Sequence, residues 1–97
     1  MNNKNSTWDP TIEDAVAFLI QRGFYARLRE WAAGRSITAA VRTRITDGVP
    51  ELVGGLQIFH DRDGWLLSEG MGHPVRYTRL AEAVEAAAQR LSKYRDV

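Results

Sequence analysis

Two short runs of alternating polarity, residues 56–60 (LQIFH) and 65–69 (WLLSE), flank Asp61-Arg62-Asp63-Gly64. Asp and Gly supply the backbone angles of tight turns, and period-two alternation marks strands, so this stretch reads as a β-hairpin. If His60 pairs with Trp65, then Leu56, Ile58, Trp65 and Leu67 share one face. Gln57, Phe59, Leu66 and Ser68 share the other. Both faces carry apolar residues, which predicts helices over one and a partner over the other.

The helices are visible on either side. Residues 79–94 place Leu80, Val84, Ala87, Leu91 and Tyr94 on one stripe, opposite Glu82, Glu85, Gln89 and Lys93. This is the most regular amphipathic pattern in the chain. Near the other end, Asp9-Pro10 offers a cap and a first helical residue, and Glu13 and Asp14 complement the helix dipole. Ile12, Val16, Leu19 and Ile20 continue as an apolar stripe, predicting a helix over 10–22. Gly23 either ends that helix, with Phe24 folding back on Leu19, or sits inside a longer one. Phe24, Leu28 and Trp31 keep helical spacing, so 24–33 is expected to be a second helical segment ending at Gly34.

Residues 37–46 (ITAAVRTRIT) are ambiguous. Ile37, Val41 and Ile45 fit both periods, but the β-branched content favours a strand. A helix starting at Ser36 stays open. Asp47-Gly48-Val49-Pro50 marks a turn, and Gly54-Gly55 another break. Residues 70–74 form a loop, and 75–78 a short last strand. The expected fold is α+β: an N-terminal helix or two helical segments, an antiparallel sheet of three to four strands, and a C-terminal amphipathic helix. At 97 residues, one domain over 9–97 with a disordered tail over 1–8 is expected.

With no cysteine, the chain has no disulfide, no thiolate nucleophile and no Cys-ligated zinc. The N-terminus (MNNKNSTW) lacks an apolar core for a signal peptide, and no apolar run approaches membrane-spanning length. A cytoplasmic location and no membrane partner are therefore expected. His60, Asp61 and Asp63 are suitable metal ligands, yet the two aspartates occupy a turn that calls for them on backbone grounds. No Ser motif of nucleophile-elbow type occurs, and His73 precedes a proline in a glycine-rich loop. Gly54-Gly55 and Gly70-x-Gly72 lack the companions of a phosphate-binding loop. No enzyme activity, cofactor or metal is expected.

Charge is unevenly spread. Residues 22–44 carry six arginines and Glu30, net +5, whereas 45–70 carry five acids and Arg62, net −4. Arginine outnumbers lysine eleven to two, and guanidinium groups grip phosphate well. The total of +1 is nevertheless low for a nucleic-acid binder. The predicted order of helix, three strands and helix is similar to that of double-stranded-RNA-binding domains, and the Gly70-x-Gly72 loop before an alanine-rich helix resembles theirs. That family's lysine pair at the start of its last helix is absent, because Tyr77-Thr78-Arg79-Leu80 stands there. Ala32-Ala33-Gly34-Arg35-Ser36 followed by 38–45 also looks like a helix-turn-helix, with poorly fitting apolar spacing. Neither likeness extends far enough to assign a family.

The reading from sequence is a small, non-catalytic protein-interaction module of the inhibitor, immunity, antitoxin or adaptor kind. Phe59, Leu66 and Trp8 are its interface candidates, and a protein partner or a homodimer its occupant. The alternative is a nucleic-acid-binding domain using Arg35, Arg42, Arg44, Arg76 and Arg79. Trp31 and Trp65 are expected to be mostly buried.

Overall fold

Thr11 starts the first helix. Its hydroxyl accepts the Asp14 N–H at 3.0 Å while the Asp14 carboxylate accepts the Thr11 N–H at 3.1 Å, a reciprocal capping box. In this computed structural model, which describes residues 8–32, 34–70 and 72–95, the helix is α1 (Ile12–Gln21). The cap thus lies two residues beyond the expected Asp9. Gly23, at φ +90°, ends the helix, and the Phe24 N–H turns back to the Leu19 carbonyl. The expected tail over 1–8 lies, apart from Trp8, outside the described residues.

Among the described residues, seven strands and a second helix follow: β1 (Tyr25–Trp31), β2 (Gly34–Ala40), β3 (Arg42–Thr46), β4 (Val49–Val53), β5 (Leu56–Asp61), β6 (Gly64–Ser68), β7 (Val75–Tyr77) and α2 (Leu80–Arg95). The fold is α+β, with more strands than expected. Five strands form an antiparallel sheet in the order β1-β2-β5-β6-β7, and β3 and β4 form a separate two-stranded ribbon.

The expected second helical segment over 24–33 is a strand. Phe24, Leu28 and Trp31 have helical spacing, but YARLREW also alternates, with Ala26 and Leu28 inward and Tyr25, Arg27, Arg29 and Trp31 outward. The deciding element is β2, which pairs with all seven residues of β1, from Tyr25↔Ala40 to Trp31↔Gly34. A full ladder satisfies every inward backbone group, which a helix cut off by Gly23 and Gly34 could not match over so short a span.

Residues 37–46 are extended, as their β-branched content favoured, but they split at Val41. The Val41 N–H bonds the Val53 carbonyl at 2.9 Å, and from there the chain leaves the main sheet as the β3–β4 arm. The arm turns on Asp47 (φ +53°) and Gly48 (φ +78°), both in the left-handed region that twisted two-residue hairpins require. β4 was not anticipated, because Pro50 masks it; in an arm with no third strand, proline is tolerated. The second hairpin agrees with expectation: His60↔Trp65, Phe59↔Leu66 and Ile58↔Leu67 are in register.

Both helices cover the same face of the sheet. Ile37, Ala39, Leu56, Ile58 and Leu67 meet Ala15 and Leu19 from α1 and Val84, Ala87 and Leu91 from α2 in one apolar cluster. Alanines 83, 87 and 88 let α2 approach the strands closely. Tyr94, expected on the buried stripe, is instead largely exposed. Its hydroxyl donates to the Glu69 carboxylate. No helix among the described residues is long and apolar enough to cross a membrane.

Candidate binding surface

The face of the sheet turned away from the helices follows from register alone. β1 presents Tyr25, Arg27, Arg29 and Trp31; β2 presents Ser36, Thr38 and Ala40; β5 presents Gln57 and Phe59; β6 presents Leu66 and Ser68. The side chains of β2 are short and those on either side are long. Ser36 and Thr38 therefore lie at the bottom of a trough, 2% and 6% exposed, although no helix or strand among the described residues covers them. Trp31 forms part of one wall. It is 53% exposed, contrary to expectation, and its indole N–H donates to Ser36 Oγ at 2.7 Å. The Arg29 guanidinium lies 5.2 Å from the indole centroid. Phe59 rises from the opposite wall.

Two adjoining depressions make up this trough. One, of about 340 Å³, is lined by Trp31, Ser36, Gln57 and Phe59 at the β1–β2 turn. The other, of about 270 Å³, is lined by Thr38, Gln57, Ser68 and Leu52. Leu52 comes from the arm. Its arm face, shared with Thr43, Ile45 and Pro50, therefore continues the trough, with Ile45 and Leu52 exposed.

The interface candidates divide. Phe59 and Leu66 are cross-strand partners on this uncovered face, both half-buried. Trp8 lies apart from them, on the helical side, with its ring 5.1 Å from that of Phe18 and packed against the core. The arginine candidates do not converge either. Arg35 is on the helical face and pairs with Glu13. Arg44 pairs with Glu51 at 2.8 Å on the arm. Arg42 shares that arm face, opposite the one carrying Leu52. Arg76 pairs with Asp61 at 2.8 Å across the sheet, and Arg79 donates to the Trp8 carbonyl.

These pairings fix the acids as well. The Asp63 N–H and then Arg76 hold the Asp61 carboxyl below its usual range, and Thr46 and then Arg44 do the same for Glu51. Asp61 is thus occupied in its turn and its ion pair. His60, on the helical side, stacks on Trp65 with ring centroids 4.6 Å apart.

Sequence reasoning missed the walls and floor of the trough: Arg27, Arg29 and Trp31 as one outward row, and Ser36 and Thr38 beneath them. Their alternation was present in the sequence, hidden by the coincidence of Phe24, Leu28 and Trp31 with helical spacing. Comparison with protein-family models, with curated proteins and with solved structures finds no match for this chain.

Proposed function

We propose that this chain is a non-catalytic protein-interaction module that binds its partner through the uncovered sheet face. The observation that supports this reading is the trough itself. A five-stranded sheet carries both helices on one side, and its other side holds Trp31, Phe59 and Leu66 around a buried polar floor. Partly exposed aromatic and arginine side chains around a depression are the residue types that dominate binding energy at protein interfaces. Inhibitor, immunity-like and adaptor roles all fit such a module.

The arginine candidates favour this reading over nucleic acid. Arg35, Arg44 and Arg76 already face carboxylates, and the five share no single surface: Arg42 and Arg44 lie on one arm face, Arg35 on the helical face of the sheet and Arg76 on the uncovered one.

The test is capture of partners from native lysate by tagged wild type, Phe59→Asp, Leu66→Asp and a helical-face control, Gln89→Ala, with and without nuclease. Circular dichroism establishes that each variant is folded. We expect a stoichiometric, nuclease-resistant protein that the control retains and both aspartate variants lose. Retention by Phe59→Asp and Leu66→Asp, or capture that disappears with nuclease, overturns the proposal.

A further inference from the structure

We infer that the trough takes an extended acidic protein segment whose side chains alternate between carboxylate and apolar; this rests on the interaction-module reading above. Three features of the trough specify that chemistry.

The first is charge. Arg27 and Arg29, two residues apart on β1, form no ion pair among the described residues, whereas Asp61, on the same sheet face, and Glu51, on the arm, are already paired with Arg76 and Arg44. The unneutralised charge on this face is therefore positive and confined to one wall. The second is asymmetry. Across β2, Arg29 stands opposite Phe59, with Leu66 behind it on β6, and Arg27 stands opposite Gln57, so the apolar part of the far wall lies at Phe59. The third is the floor. Thr38 is an almost buried residue with a hydroxyl, and Gln57 lines both depressions beside it.

An extended chain lying along β2 meets all three. Its side chains point alternately to either wall with a two-residue repeat of about 6.6–6.8 Å, the same spacing that separates Arg27 from Arg29. Carboxylates at alternate positions reach the arginines, and an apolar group between them reaches Phe59. Its backbone amides then face the floor, where Thr38 and Gln57 supply hydrogen-bonding groups. The trough is two ladder spacings wide, roughly 9–10 Å between the β1 and β5 backbones, which admits one chain and not two. A nucleic-acid strand is less well matched, because only one wall is basic and the net charge is +1.

The probe is a dye-labelled peptide of four Glu-Val repeats, followed by fluorescence anisotropy with the full chain at low salt. We expect saturable binding that weakens about tenfold in Arg27→Gln and Arg29→Gln and disappears when glutamine replaces glutamate. A peptide of the same composition with four glutamates followed by four valines should bind at least fivefold more weakly. Thr38→Val, which keeps the shape and removes the hydroxyl, should weaken binding severalfold while the circular dichroism spectrum is unchanged. Equal binding of the block peptide, or indifference to the arginine variants, overturns the inference. So does tighter binding of a labelled oligothymidylate, or a dimer by light scattering that Phe59→Asp dissociates. If no peptide binds while Phe59→Asp still abolishes partner capture, only the acidic segment falls and the interaction module stands.

Discussion

Gly64 opens β6 at φ +151°, and a Cβ built there would lie 2.4 Å from the Tyr77 carbonyl oxygen. The backbone of β7 passes too close for any side chain, so glycine is required by both conformation and contact. Gly64→Ala should destabilise the protein by about 2–4 kcal/mol, combining backbone strain with overpacking. Urea unfolding measures it, and an unchanged midpoint would show that β7 does not pack as described. At the other end of the chain, Thr11→Ala removes the capping oxygen and should cost about 1 kcal/mol. Asp9→Ala, at the residue the sequence pattern favours as cap, should stay within about 0.5 kcal/mol. The expected cap and the actual one stand two residues apart, and only the geometry of the entering chain separates them.

The elements differ sharply in how they are held. α1 anchors itself with Leu19, which is fully buried against the sheet, and Leu19→Ala should cost about 3–5 kcal/mol through lost burial and a residual cavity. The β3–β4 arm has no such anchor: Ile45 and Val49 are mostly exposed, and a two-stranded ribbon alone is marginal in water. Ile45→Ser should therefore shift stability by no more than about 0.5 kcal/mol. Amide exchange should be fast in β3 and β4 and slow in β2 and β5, with the boundary at Val41. Protection of the arm equal to that of β2 would mean that something covers it. The arm was half legible beforehand. Its first strand showed in the β-branched run of 37–46, but its second was lost to Pro50, because proline counts against a strand only when both edges are paired.

Among the described residues, three ion pairs tie distant parts of the molecule together, and a fourth, Arg44–Glu51, closes the arm: Arg35–Glu13 joins β2 to α1, Arg90–Glu69 joins α2 to the end of β6, and Arg76–Asp61 spans β7 and β5. Each carboxyl is held below its ordinary value. Arg35 is the chief cause for Glu13, the Tyr94 hydroxyl and then Arg90 for Glu69, the Asp63 N–H and then Arg76 for Asp61, and Thr46 and then Arg44 for Glu51. A carboxyl with a lowered folded-state value stabilises fully above its unfolded value, 4.5 for Glu and 3.8 for Asp, and that contribution is lost as pH falls through the lower folded value. Stability should therefore be flat near neutrality and decline below about pH 4.5. Glu69→Gln and Asp61→Asn should flatten the decline most, since those side chains are about three-quarters shielded, whereas Glu13→Gln should change it little because its pair is solvated. Urea midpoints from pH 7 to 3 check the ranking.

The sequence by itself determined those elements whose local pattern has one interpretation: the α2 helix and the Asp61–Gly64 hairpin with its register. It also determined that Phe59 and Leu66 share a face, because side-chain alternation in a registered hairpin allows nothing else. The tertiary structure decided the rest. YARLREW satisfies two periodicities, and only the ladder to β2 selects the strand. Trp31, Arg27 and Arg29 become one wall only after that choice is made. Short side chains at Ser36 and Thr38 become a floor only when longer neighbours on β1 and β5 stand on either side. A surface assembled from three strands depends on lateral pairing between segments distant in the chain, and that pairing has no local signature.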